Sequence, residues 1–528
     1  MKYLKISAYL FIIFLFSCKK NNKPVQVKVG FNVDNVILNG TFKGITKVPH
    51  TTPCCGTGTY KAYTYVSTDL NPSILISFST PINKNSVTNG ISFNDIKGGA
   101  VSYSVSYENN DSVMVIQPNA PLSGITEYEI TVGPNLQSTY KNSLQIPVIV
   151  FLTTAIDSTD KFPRISDSAL LTLVEQQTFK YFWDFGHPVS GMARERNTSG
   201  DVCATGGTGF GIMSMIVGMY RNFISRTEGL DRIQEIVSFL QNKCTRYHGA
   251  FPHWINGATG ATVPFSAQDD GADLVETSYL MMGLLCARQY FNQHSAAEDS
   301  LRNDINQLWN NVEWAWFVSS PSGGPGLYWH WSPNYGWENN QIISGWNEAL
   351  ITYILAASAN QDSISKAVYD NGWARNGAMK NGKQFYGIPL PLGPDYGGPL
   401  FFSQYSFLGL DPHGLSDDYA HYWTQDTAQT KINYLYCVNN PQNYYGYSPL
   451  CWGLTASDDN NGYAVHSPTN DDGVISPTAA ISSMPYSPQQ SMDALKFFYY
   501  TLGDKIWGQY GFTDAFNLTD VWFANSYL

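Results

Sequence analysis

One stretch carries carboxylates where a buried helix should have none. Asp269, Asp273 and Glu276 stand four and three residues apart in Gln268-Asp269-Asp270-Gly271-Ala272-Asp273-Leu274-Val275-Glu276, and an apolar run continues to Tyr290. If the chain is helical from Ala272, all three lie on or just before one face. That helix is apolar almost all round, which predicts burial. Carboxylates in such a place cost free energy unless they are paired, hydrogen-bonded or put to chemical use. The stretch therefore predicts the floor of an acidic cleft. Asp269 has a second reading, as the N-cap of the helix, and this concentrates the catalytic expectation on Asp273 and Glu276.

The surroundings of this stretch set the fold class. From Ser166 onward, Ala169–Phe185, Ile212–Ser225, Leu230–Cys244, Ala272–Phe291, Leu301–Phe317, Glu348–Ala359, Asp418–Val438 and Ser491–Leu502 fit helices. Long loops rich in Gly, Pro, Trp, Tyr and Asn separate them. Helices without alternating strands or heptads predict an all-α toroid whose loops build a cleft at one end. The run Thr205-Gly206-Gly207-Thr208-Gly209 reads as a turn before the Ile212 helix. No strand precedes it and no Lys follows, so a phosphate loop is not expected; close packing beside the cleft is.

Before Ser166 the pattern is different. Short β-like runs with turn clusters between them occupy residues 65–155, which predicts an all-β sandwich. Residues 19–64 read as a polar tether followed by an unassigned β-like segment. A length of 528 residues agrees with two or three domains. The start is basic, at Met1-Lys2-Tyr3-Leu4-Lys5, and Ala8–Phe16 is apolar but short for a bilayer span. It ends at Ser17-Cys18, which resembles the lipobox of bacterial lipoproteins. Residues 1–18 are therefore expected to be a signal peptide, with Cys18 as the lipidated residue and the membrane reached only through that anchor. Of the eight Cys, Cys54 and Cys55 are adjacent and the last five are scattered without metal spacing. Most of those five are expected to be small buried hydrophobes, and no metal is expected.

A net charge of -11 without any basic stripe excludes nucleic acid as a partner. Aromatic residues are 14% of the chain, which suits either a large core or the stacking of sugar rings. Sugar hydrolysis needs two carboxylates, one acid and one base or nucleophile. Two candidates lie beyond the opening cluster. Glu348 is in Ser344-Gly345-Trp346-Asn347-Glu348-Ala349 and Asp472 is in Asn470-Asp471-Asp472-Gly473. Glu348 is expected in the first turn of an apolar helix, where an ionised carboxylate also compensates the helix dipole. A general acid there needs burial to keep its proton.

The segment 166–528 resembles glycoside hydrolase family 144, the glycoamylase-like family. The matching blocks are Tyr181–Pro188, Gly191–Arg196, Gly206–Ile212, Asp273–Thr277, Gly345–Ala349, Gly409–Pro412 and Asp472–Ala480, followed by Met484-Pro485. Phe78–Ile82, Pro118–Leu122 and Phe151–Thr154 resemble the bacterial Ig-like modules that precede many exported enzymes. The resemblance implies an (α/α)6 barrel and inverting hydrolysis of β-1,2-glucan, by endo-cleavage or by release of sophorose from chain ends. It implies catalysis by Asp269, Asp273 and Glu276 on one wall and Glu348 on another. Arg194, Arg196, His253, Trp254, Trp329, Trp331, Trp337 and Asp472 are the expected substrate contacts, with Arg194 and Glu195 as an alternative ion pair. It also implies a further acidic loop and a final helix after the block matching Phe512–Leu528, so the toroid is expected without its last helix. The whole is expected to be a monomeric cell-envelope lipoprotein without cofactor. Hydrolysis of α-glucan, or glycan capture without turnover, are the competing readings.

Overall fold

The structure is a computed structural model that describes residues 30–39, 60–319 and 326–527. Cys18, Cys54, Cys55, the signal peptide and the tether lie outside the described residues. The chain divides into two compact units, Met1–Ile156 and Asp157–Leu528.

The first unit is a sandwich of two four-stranded sheets. Its strands are β1 (Val33–Leu38), β2 (Lys61–Thr68), β3 (Ile74–Phe78), β4 (Ile91–Asp95), β5 (Tyr103–Glu108), β6 (Val113–Pro118), β7 (Glu127–Val132) and β8 (Val148–Thr154). The orders are β1-β3-β6-β5 and β2-β8-β7-β4. All pairs are antiparallel except β2 with β8. Inward residues alternate along the strands, as in Ile74, Ile76 and Phe78 or Val148, Val150 and Leu152, and they fill one core. The expected start at residue 65 is too late. β1 completes one sheet by pairing with β3, β2 completes the other, and Tyr65 Oη donates to the Val36 carbonyl at 2.8 Å. β1 is a short strand set apart in sequence from its partner, so local pattern alone leaves it unassigned.

The second unit is helical. Its longer helices are Asp167–Trp183, Thr205–Tyr220, Arg226–Asn242, Leu274–Tyr290, Ala296–Asn310, Leu350–Ser358, Tyr422–Asn439 and Pro488–Lys496, the last continued by a π-helical turn at Phe497–Thr501. The starts follow capping chemistry. Ser166 accepts from the Ala169 amide, and Ser225 with Glu228 forms a capping box. Leu301–Phe317 is not one helix, because the α-helix ends at Asn310 and a separate 3-10 turn covers Trp314–Phe317. Cys203, Cys244, Cys286, Cys437 and Cys451 are free thiols, three of them buried. Among the described residues no helix is long and apolar enough to cross a membrane.

The glycine run is helical, which corrects its reading as a turn. Thr205 opens the Thr205–Tyr220 helix, and the glycines let that helix touch the backbone of Leu274–Tyr290. A Cβ on Gly209 would stand 2.1 Å from the Tyr279 carbonyl oxygen, and one on Gly283 would stand 2.1 Å from the Gly209 oxygen. Close packing is what these glycines provide, and it fixes the register of the Glu276 helix against its neighbour.

Candidate active site

Asp273, rather than Asp269, caps the central helix. The helix begins at Leu274, and Asp273 Oδ1 accepts the Glu276 amide at 2.9 Å. Ala272 and Asp273 form a two-residue antiparallel ladder with Trp331 and His330. Asp273 Oδ2 lies 2.9 Å from His253 Nδ1 and 3.7 Å from His330 Nδ1. Asp269 Oδ2 lies 3.1 Å from the same His330 nitrogen. Burial alone would raise the Asp273 carboxyl, but the bond from His253 and the charge of His330 outweigh it and hold the group below its usual range. Burial opposes charge on His253 too; Glu276 and Asp273 prevail and push it up to about 9. Asp270, the fourth carboxylate, is structural: it accepts from Ser332 Oγ and Asn334 Nδ2, both at 2.5 Å, and ties down the aromatic loop. His253, Asp269 and Asp273 also offer ligand atoms within 4.8 Å of one another, the reach of a cation, but His–Asp contacts already join them.

Glu276 sits in the first turn and accepts the Gly206 amide at 2.7 Å. A Cβ on Gly206 would meet that same oxygen at 2.7 Å, so glycine is what allows the contact. Burial raises the Glu276 carboxyl; His253 opposes and Asp273 adds to the rise. Glu348 stands in the turn before the Leu350–Ser358 helix rather than inside its first turn. Its carbonyl accepts from Tyr279 Oη at 3.2 Å and Ser406 Oγ at 2.5 Å. Burial pushes its carboxyl up to about 7, against its own backbone amide and with help from the charges of Glu276 and Asp273. Two carboxyls that resist ionisation therefore stand beside one that is held ionised. That split is what acid–base chemistry on a neutral substrate needs.

A cleft of about 660 Å³ opens over this floor. Of the expected residues, Arg194, Arg196, His253, Trp254 and Glu276 line it. Tyr279, Tyr405 and Tyr463 also line it, and each feels the charge of Glu348. Arg194 does not pair with Glu195. Arg196 does, at 2.9 Å, and it also reaches Asp458 at 3.1 Å on the hairpin that presents Tyr463. Arg194 lies instead over the Phe185 ring, 4.5 Å from its centroid, with a buried Nε that has no protein partner.

Trp329, Trp331, Trp337 and Asp472 are not among the lining residues, and Glu348, Asp269 and Asp273 stand behind the lining, Glu348 next to the lining Tyr279. Trp331 and Trp337 pack on Trp316 at 5.5 and 4.7 Å, and Trp337 stacks on Tyr328 at 4.4 Å. The Trp329 ring lies nearly parallel to its neighbour His330, and its carbonyl accepts the Leu274 amide at 2.8 Å. These rings pack on one another and on their neighbours. Asp472 is exposed, and its backbone carbonyl accepts from Asn517. Sequence reasoning missed Tyr405, Tyr463, Asp458 and His330. Only His330 had a local signal, since it stands inside the aromatic loop Tyr328–Trp337.

The glycoamylase family model, described as "Putative glucoamylase", matches residues 340–528, and a bacterial Ig-like domain model matches residues 57–154. A Bacteroides uniformis crystal structure that carries the same glucoamylase description is 52% identical, with TM-score 0.68 over 70% of this chain and 89% of that one. An endo-β-1,2-glucanase from Chitinophaga pinensis, solved with sophorotriose and glucose, is 49% identical with TM-score 0.67, over 69% and 90% of the two chains. A Parabacteroides distasonis exo-β-1,2-glucooligosaccharide sophorohydrolase is 46% identical over 380 residues, 68% of this chain and 52% of its own. The chain thus spans about half the length of that curated relative. With a helical unit that aligns to nine-tenths of the solved relatives and an Ig-like unit before it, the chain belongs to the glycoamylase-like family, glycoside hydrolase family 144.

Proposed function

We propose that this chain hydrolyses β-1,2-linked glucan to short oligosaccharides by inversion. The observation that carries the reading is the contrast between Glu348, which burial pushes up to about 7, and Glu276, where His253 and the Gly206 amide oppose the rise that burial brings. The names of the Chitinophaga and Parabacteroides relatives supply the linkage. In this mechanism Glu348 gives its proton to the glycosidic oxygen as the bond to the anomeric carbon breaks. Glu276 takes a proton from the water that attacks the opposite face. Asp273 holds the turn that carries Glu276, and Asp269 balances the histidines behind it. Arg194, His253 and Trp254 meet the sugar, with the tyrosines opposite. The reaction calls for no cofactor. The helical unit is read as an (α/α)6 toroid acting as a monomer, and the protein as a lipoprotein of the cell envelope anchored through Cys18.

The test is product analysis with purified protein on linear β-1,2-glucan beside starch. Oligosaccharides are expected from the first only. Products from starch alone would replace the linkage, and binding without products from either would leave a glycan-capture protein. A second expectation concerns the cleft rim. Asp458→Ala leaves Arg196 on Glu195 but cuts its tie to the Ala456–Val465 hairpin that bears Tyr463. Steady-state kinetics should show KM up by about three- to tenfold with kcat within about twofold, because the change touches positioning and not proton transfer.

A further inference from the structure

Beneath the cleft, two imidazoles alternate with two carboxylates. His253 Nδ1 meets Asp273 Oδ2 at 2.9 Å, the same oxygen lies 3.7 Å from His330 Nδ1, and that nitrogen lies 3.1 Å from Asp269 Oδ2. Asp269, Asp273 and His330 are only 5%, 0% and 9% exposed, so water does little to balance their charges. The backbone sets the spacing, since His330 stands opposite Asp273 in the two-residue ladder. Asp273 spends its other oxygen on the Glu276 amide. Asp269 Oδ1 and His330 Nδ1 are both buried without a hydrogen bond, so the charge of Asp269 rests on the 3.1 Å ionic approach of His330 to its other oxygen. A buried carboxylate deprived of its cation takes up a proton or leaves its place.

We propose that His330 is a positioning residue for hydrolysis, whose imidazolium bridges Asp269 and Asp273 and thereby keeps the turn carrying Glu276 charged and in place. The inference rests on the hydrolase reading, in which Glu276 receives the proton of water. The groups facing His330 are Asp269, Asp273 and His253, with the uncharged Trp329 ring beside it. Burial works against a charged His330, and the two aspartates raise it nonetheless.

The test uses His330→Asn, which leaves a donor near the Nδ1 position and removes the charge. With one cation fewer, Glu276 holds its proton to higher pH. The acid limb of kcat/KM on linear β-1,2-glucan is expected to move up by about one pH unit. Asp269→Asn removes a neighbouring anion and should move the limb down, and the double variant should return it towards the parent. A purely structural role would scale the rate by one factor at every pH, and that result, or an unmoved limb in both single variants, overturns the proposal. If His330→Asn does not fold, the downward shift in Asp269→Asn decides. A readout free of turnover separates this inference from the hydrolase reading. By NMR of labelled histidines, the His253 ring should titrate higher in His330→Asn, because a repelling cation has gone. An unmoved His253 titration sinks the bridge even if the parent cleaves glucan, and a parent without turnover leaves this measurement intact.

Discussion

Glu348→Gln is expected to release oligosaccharide from linear β-1,2-glucan about a thousandfold more slowly than the parent, at similar KM. Loss of a positioned general acid removes on the order of 10² to 10⁴ in rate. The assignment makes a second demand that a merely damaged site would not meet. A substrate whose leaving group departs without protonation, such as a nitrophenyl β-sophoroside, should narrow the deficit. The pH dependence follows from burial, which pushes this carboxyl up to about 7 from an ordinary 4.5. The parent needs the group protonated, so its rate should fall as pH rises through about 7. The same shift ties the residue to stability. A carboxyl raised on folding contributes fully below its unfolded value and loses that contribution as pH rises through its folded value. Glu348→Gln should therefore melt above the parent at pH about 8, with the difference vanishing below pH about 4.5. A parent-like rate in Glu348→Gln would remove it from the chemistry. A lost rate with no relief from the better leaving group would move the acid role to Glu276.

How far the sequence reaches depends on whether the information is local. The central helix was legible because its apolar run is long and its carboxylates are conspicuous there. Asp273 as cap was not, since Asp269 and Asp273 both precede the run and only the His330 pairing sets where extended chain gives way to helix. The glycine run carries turn chemistry and poor helix propensity; what overrides both is contact with a second backbone, which sequence does not display. The aromatic loop was noticed, yet Trp331 and Trp337 serve packing, while Tyr405 and Tyr463, from plain surroundings, reach the cleft. Glu348 stands out in the sequence as a carboxylate soon after an aromatic loop, but its raised pKa depends on burial between segments distant in the chain.

Gly283→Ala should strongly destabilise the helical unit. Its Cβ would stand 2.1 Å from the Gly209 carbonyl oxygen and 2.7 Å from the carbon behind it. Neither neighbour is a side chain that can swing aside; both belong to the backbone of the facing helix. Alanine contributes about 1 kcal/mol in helix propensity, but parting the helices forfeits packing along their length and overpacking of this kind costs about 3 kcal/mol or more. The same displacement would draw Glu276 away from the Gly206 amide, now 2.7 Å distant, so activity should fall in whatever fraction still folds. Gly207→Ala is the control. It lies on the same Thr205–Tyr220 helix, and its Cβ would meet only the Ala204 methyl, at 3.1 Å. Its stability should stay within about 1 kcal/mol of the parent, with helix propensity working in its favour. Urea unfolding of the three chains distinguishes the cases. Equal midpoints for Gly283→Ala and the parent would mean that the two helices do not touch at Gly209, and the register that places Glu276 over the cleft floor would need another cause.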